Sequence, residues 1–125
     1  MNGRNLLLDS NIIIYLAQKK LQPDDFIQPD DRLFVSDISL METLGFAFSE
    51  PVERQDTEAL LGVLARLPIS DEVVMKVIGI RQYRRMKLPD AIIAATAILS
   101  NCKIVTRNVS DFTGLEGLEV LNPFE

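Results

Sequence analysis

Four acids fall where an apolar run stops or a helical run starts: Asp9 in LLLDSN, Glu42 in SLMETL, Asp90 in KLPDAI and Asp111 in NVSDF. Carboxylates carry two kinds of chemistry, proton transfer as general bases and, when several converge, capture of hard divalent cations through oxygen. The chain has no His and a single Cys, Cys102. Imidazole bases, His-ligated zinc and paired thiolate sites are thereby excluded. Hydrolytic chemistry in this chain has to run on carboxylates with Mg2+ or Mn2+, because zinc lacks its usual ligands.

Each acid also has an ordinary structural explanation. Asp9, just before Ser10 and Asn11 and a helical run, is a good N-cap. Glu42 fits the capping box S-x-x-E with Ser39. Asp90 stands in a helical first turn, where a negative charge meets the macrodipole, and Asp111 suits an Asx-turn. What the separate explanations leave out is the joint placement, which depends on the elements that carry the acids.

Asn5 to Asp9 reads as a short strand, followed by a turn and a helix through Ala17. Pro23 to Asp25 and Pro29 to Asp31 punctuate a loop or a pair of helical turns. Leu33 to Ser36 is a second strand. The capping box predicts a helix starting near Ser39 and ended by Pro51, then a helix from about Glu53 to Arg66 and a short strand at Leu67 to Ile69. Ser70, Asp71 and Glu72 cap a helix reaching Arg85, and Asp90 to Leu99 is an almost wholly apolar, hence buried, helix. Lys103 to Thr106 is a strand, Arg107 to Phe112 its polar exit loop, and Leu118 to Leu121 a last strand. Strands alternate with helices and never stand two residues apart, so an α/β layered fold with a short, mostly parallel central sheet of about 4 or 5 strands is expected. At 125 residues and 47% hydrophobic content the chain closes one core and is read as a single domain, 1–125.

In such a sheet the strand C-terminal ends share one edge, where open α/β folds keep their sites. Asp9, Glu42, Asp90 and Asp111 then face one cleft, and like charges that close are costly unless a cation neutralises them. Thr106 and Asn108 flank the last exit and are expected to hydrogen-bond a carboxylate or a metal-bound water. Ala91, Ala94, Ala95 and Ala97 allow close backbone approach beside Asp90, although ordinary helix packing explains them equally well.

The net charge of −5 argues against a generally polyanion-binding surface. One stretch runs against it: Lys76, Arg81, Arg84, Arg85 and Lys87 contain no acid among them and end just before Asp90. They read either as a solvated helix face or, with Arg107, as a phosphate-backbone track leading to the acids. No apolar run approaches bilayer length and the lone Cys102 suits a reducing compartment, so a soluble, cytoplasmic protein without membrane contact is expected.

The segments LLLDSNIIIYLA, SLMETLGF, KLPDAIIAATAIL and IVTRNVSDF resemble the four acidic motifs of PIN-domain ribonucleases. Their order and near full-chain coverage are most similar to the VapC-type toxins of type II toxin–antitoxin modules. The resemblance implies a three-layer PIN-like fold and a single nuclease domain. It implies that Asp9, Glu42, Asp90 and Asp111 form the acidic quartet around Mg2+ or Mn2+, with Asp9 and Asp90 central among the metal ligands, Asp111 a further one and Asn108 the polar companion of Asp111. Ser10 stands where the family often has Thr and keeps the hydroxyl. The resemblance further implies a homodimer and an antitoxin partner protein.

The expected activity is metal-dependent hydrolysis of RNA, with Glu42 or Asp111 taking the water proton. The rivals are a stand-alone PIN nuclease outside any toxin module, a non-catalytic RNA-binding or interaction domain whose acids are only caps, and a phosphoryl-transfer domain using Asp9 as nucleophile. The last ranks lowest, because such enzymes usually carry a second acid two residues on, where this chain has Asn11.

Overall fold

Asn5–Leu8 forms the first strand, β1, in the computed structural model, which describes residues 3–125. Its Leu6, Leu7 and Leu8 are at most 1% exposed, as expected for a strand covered on both faces. Helix α1 (Ser10–Ala17) follows at once, then a 3-10 turn over Pro23–Asp25, strand β2 (Arg32–Ser36), helices α2 (Asp37–Leu44) and α3 (Pro51–Gly62), and strand β3 (Ala65–Leu67). The second half contains helices α4 (Asp71–Tyr83) and α5 (Leu88–Leu99), strand β4 (Lys103–Val105), a 3-10 turn over Val109–Asp111, and strand β5 (Val120–Leu121).

The strands form one sheet in the order β3-β2-β1-β4-β5, with every neighbouring pair parallel. Leu7 pairs with Phe34 on one side and Ile104 on the other. The chain therefore builds outward from β1 through β2 and β3, then returns to the other side of β1 with β4. The gap above β1 and β4 is the topological switch point, where a parallel sheet opens a crevice at its strand C-terminal edge.

Alternation along the strands sorts the core into two layers. Leu7 and Ile104 pack with Val73, Val77, Ile93 and Phe112 beneath α4 and α5. Leu6, Leu8 and Val105 face the other way, against Ile12, Ile13, Leu61 and Leu64. Helix α5 fits its layer because Ala91, Ala94, Ala95 and Ala97 have no exposure, so the helix lies close against the sheet.

Three boundaries differ from the sequence reading. Helix α2 starts at Asp37 and is capped by Ser36, whose Oγ accepts from the Ile38 N–H at 3.2 Å. Ser39 is an interior, fully buried helical residue, so the Ser39–Glu42 capping box does not form. The serine directly at the strand exit took the cap because β2 must already be extended there, and its side chain reaches the helix without a linker. Helix α3 stops at Gly62, and β3 is Ala65–Leu67 rather than Leu67 to Ile69; Pro68, which lacks an N–H for the ladder, lies just past it. Cys102 is buried beside β4, and burial pushes its thiol up to about 11. Arg4 and Asp31 clasp the opposite edge of the sheet: the Asp31 carboxylate accepts from Arg4 Nη2 at 2.7 Å and Nε at 3.2 Å, and from the backbone N–H of Arg4 and Gln28.

Candidate active site

Asp9 leaves β1 into the switch point. Its backbone N–H still donates to Val105 O at 3.0 Å, and its side chain is the N-cap of α1, with Oδ1 accepting from the Ser10 N–H at 2.8 Å. The N-cap reading of Asp9 therefore holds, at the exit of β1. The other oxygen, Oδ2, accepts from Thr106 Oγ1 at 2.8 Å and from Asn11 Nδ2 at 3.1 Å. The residue is only 6% exposed. Burial raises the Asp9 carboxyl above its ordinary value, with the charge of Glu42 adding to it and the three hydrogen bonds opposing it.

Thr106 is the hub of this support. Fully buried at the exit of β4, its hydroxyl donates to Asp9 and accepts from Asn11 Nδ2 at 3.2 Å and from the Asn108 N–H at 3.1 Å. Asn108 thus enters the network through its backbone. Asn11 links Asp9 to Arg107, whose N–H donates to Asn11 Oδ1 at 3.2 Å. Asn11 was not singled out from sequence as a site residue, although D-S-N right after a buried strand is the signal that marks it.

Glu42 is exposed on α2, and its Oε1 accepts from Ser10 Oγ at 2.6 Å. With its capping-box partner removed, this carboxylate has no structural duty at the helix start. Asp90 occupies the first turn of α5 behind Pro89, half-buried, and is raised first by burial, then by the charges of Asp111 and Asp9 and, more weakly, Glu42, with Lys87 opposing. Asp111 closes the exposed 3-10 turn beyond β4. Asp90 feels the charges of Asp111, Asp9 and Glu42, and Asp9 that of Glu42, so the four sequence-predicted acids lie within electrostatic reach of one another around the strand exits.

Among the described residues, none of these four carboxylates is in an ion pair; those formed join Arg4 to Asp31, Arg54 to Glu58, Arg66 to Asp37 and Lys103 to Glu119. Among the same residues, no three acidic or Cys side chains stand close enough together to hold a metal ion. The donor set is nevertheless what a hard cation takes: all oxygen, multiply anionic and supported from behind by hydroxyl and amide donors. In chemical type, these side chains suit a hard divalent cation.

The basic residues sort differently from one another. Arg107 lies over the rings of Tyr15 (5.4 Å) and Phe124 (4.6 Å), which meet edge-to-face at 5.2 Å, so an exposed cation is held at the rim of the cleft. Tyr15 and Phe124 are 109 positions apart, and no sequence pattern announces their meeting. Arg85 and Lys87 are exposed, Arg81 Nε donates to Met86 O at 3.3 Å, and Arg84 turns onto the segment that carries Asp111.

The sequence profile of the PIN domain matches residues 6–113. No curated protein matches the chain significantly. Among solved structures, a toxin–antitoxin complex from Klebsiella pneumoniae contains a chain 33% identical, with 96% of this chain and 98% of that one covered and a TM-score of 0.74. VapBC-1 from nontypeable Haemophilus influenzae is 25% identical, covering 97% and 99%, with a TM-score of 0.76. VapBC2 from Rickettsia felis, bound to a DNA fragment from its promoter, shares the fold at 19% identity, covering 94% and 98%, with a TM-score of 0.81.

Proposed function

The chain belongs to the PIN domain family, and on that premise we propose that it is a Mg2+- or Mn2+-dependent endoribonuclease serving as the toxin of a type II toxin–antitoxin module. The observation that carries the nuclease reading is the convergence of Asp9 and Asp90, both raised by burial and by neighbouring acids, at the switch point of the sheet.

Asp9, Asp90 and Asp111 would hold the cation. When bound, it supplies positive charge for the phosphodiester transition state and lowers the pKa of a water. Thr106, Asn11 and the Ser10 N–H fix both oxygens of Asp9, so the carboxylate needs no reorganisation as charge develops. Glu42, exposed and aimed by Ser10, or Asp111 takes the water proton. Arg107, Arg85, Lys87 and Arg81 contribute positive charge along the path of the RNA backbone.

The toxin role rests on the likeness to chains of toxin–antitoxin complexes. The partner is then an antitoxin protein and the working state a homodimer. An open groove of about 790 Å³ combines apolar Val74, Ile78, Tyr83 and Leu88 with Arg81 and Arg85 at its edge, so the dimer face proposed there borders the basic residues of the RNA path. Among the described residues no helix is long and apolar enough to cross a membrane, and the cytoplasm is the proposed location.

The deciding experiment incubates the purified chain, free of any partner, with total cellular RNA in Mn2+ or in EDTA beside Asp90→Asn. Discrete fragments that require both the metal and Asp90 are expected. Intact RNA with Mn2+ bound would move the substrate elsewhere, and RNA binding indifferent to EDTA, without cleavage, would favour the non-catalytic reading. Sedimentation equilibrium tests the dimer, and a monomer at micromolar concentration counts against it.

A further inference from the structure

The basic stretch before Asp90 contains one residue that the structure takes out of any phosphate track. Arg84 is the C-cap of α4, where the backbone turns extended (φ −142°, ψ 136°) and its N–H still donates to Ile80 O at 3.0 Å. The side chain leaves the helix and meets the loop beyond β4, 26 to 29 positions away. Nη2 donates to Asp111 O at 3.0 Å and to Ser110 O at 3.3 Å, and Nη1 donates to Thr113 O. One planar fork therefore gathers two carbonyls of the turn that ends in Asp111 and one just beyond it.

Its own backbone closes that turn, with the Asp111 N–H donating to Asn108 O at 3.1 Å and the Phe112 and Thr113 N–H groups to Val109 O at 3.0 and 3.1 Å, but few side chains hold it in place. It is a single 3-10 turn with no side-chain cap at Asn108, its Val109 half-buried and its Ser110 and Asp111 exposed. Its inner anchor is Phe112, 1% exposed in the core. Its own side-chain support is Thr113 Oγ1, which donates to Val109 O at 2.8 Å. Gly114, at φ 89°, turns the chain away directly beyond. Phe112 anchors the turn from the core side, and Arg84 holds its carbonyls from the outer side.

We infer that Arg84 is the positioning residue that orients Asp111 toward the other carboxylates, and that it is not a ligand of RNA phosphate. Three of its donors are committed to backbone oxygen, whereas a phosphate contact needs the fork free. The inference rests on the reading of Asp111 as part of the metal site. It also makes the α4–α5 junction, Arg84 to Lys87, mechanically continuous with the cleft, since whatever moves the end of α4 moves the turn.

The test measures Mn2+ binding by calorimetry, and RNA binding in EDTA at two salt concentrations, for the whole chain and for Arg84→Lys, Arg84→Ala and Asp111→Asn, each checked by circular dichroism. Lysine keeps the charge but cannot span three carbonyls. Positioning predicts that both Arg84 variants weaken Mn2+ binding by roughly 10- to 100-fold, comparable to Asp111→Asn. RNA affinity in EDTA stays within about 2-fold, and the loss in cleavage falls on kcat with KM kept. The inference is overturned if Arg84→Lys binds Mn2+ like the parent chain. It is equally overturned if the loss lies in RNA affinity with a salt slope smaller by about one, the mark of a lost phosphate contact. If Arg84→Ala does not fold, Arg84→Lys decides. A parent chain that binds no Mn2+, or an Asp111→Asn variant that binds it unchanged, removes the premise instead and identifies the site reading as the failure.

Discussion

The Ser10 hydroxyl donates to Glu42 Oε1 at 2.6 Å, joining the first turn of α1 to the third position from the end of α2 across 32 residues of sequence. A hydrogen bond to a charged acceptor is among the stronger ones, but here both groups are solvent-accessible, so its value lies in aim rather than stability. Ser10→Ala is expected to leave the melting temperature within about 1 °C and to lower kcat by roughly 10-fold, as lost support of a reacting carboxylate does. Ser10→Thr, which keeps the hydroxyl, is expected to retain most of the activity. Steady-state cleavage by the three proteins checks this, and an unaffected Ser10→Ala would show that Glu42 needs no orienting.

Asp90 carries a stability prediction with a definite sign. In the metal-free fold its carboxyl is raised above the ordinary value, chiefly by burial and then by Asp111 and Asp9. The fold then holds this proton more tightly than the unfolded chain does. Stability is greatest below the ordinary carboxylate range, declines as pH rises through the raised value, and stays reduced at neutral pH. Asp90→Asn removes the repelling charge, so without metal at pH 7 it is expected to melt a few degrees higher than the parent chain and to match it under acid. Added Mn2+ should raise the melting point of the parent and not of the variant. Thermal melts at both pH values and with and without Mn2+ decide the matter; an Asp90→Asn chain that melts lower at neutral pH would contradict it.

Thr106 offers a substitution of nearly equal volume. Thr106→Val deletes one donor to Asp9 Oδ2 and the acceptor for the Asn108 N–H inside a fully buried pocket. The expected loss is about 1–3 kcal/mol of stability, the cost of a buried polar group left short of a partner. Asp9, with one hydrogen bond to its charged form gone, rises further in pKa, so the loss of cleavage at pH 6 should exceed that at pH 8. A pH–rate profile parallel to that of the parent chain would rule out this coupling.

Asp31 has the opposite titration. Its side chain has no exposure, and the Arg4 guanidinium, opposed by burial and helped by the N–H groups of Gln28 and Arg4, holds it far below the ordinary carboxylate range. A depressed folded value contributes stability that is present above the ordinary pKa and is lost as pH falls through the folded one. Because Arg4 keeps 27% exposure, solvent screens the pair. Asp31→Asn is expected to cost about 1–3 kcal/mol at neutral pH, with the gap to the parent chain narrowing only in strong acid. Urea titrations at pH 7 and pH 2 measure both ends.

Much of the site was legible in the residues themselves. Helix α5 could be read from KLPDAIIAATAIL because Pro at the first turn, an acid behind it and an unbroken apolar run each have one local meaning, and together they place Asp90. LLLD likewise places Asp9 at a strand exit, since an aliphatic run this short, cut off by D-S-N, suits a strand buried on both faces better than a helix. The parallel sheet followed from connection lengths, for strands separated by helices have no hairpin available. These features depend on neighbours in the chain, which is why the sequence alone determined the fold class and placed Asp9 and Asp90 at the ends of their elements.

The tertiary structure decided what depends on distant partners. The motif SLME reads as a capping box, yet Ser36 took the cap and left Glu42 to Ser10, because the end of β2 sets where α2 begins. The five cations before Asp90 read as one charged face, and only the fold separates Arg84, which is turned onto the carbonyls around Asp111, from Arg85 and Lys87 in solvent. Asn11 and Thr106 meet at Asp9 only because β4 returns beside β1. Contacts between residues 26 to 97 positions apart come from the order in which strands enter the sheet, and no local pattern of side chains encodes them.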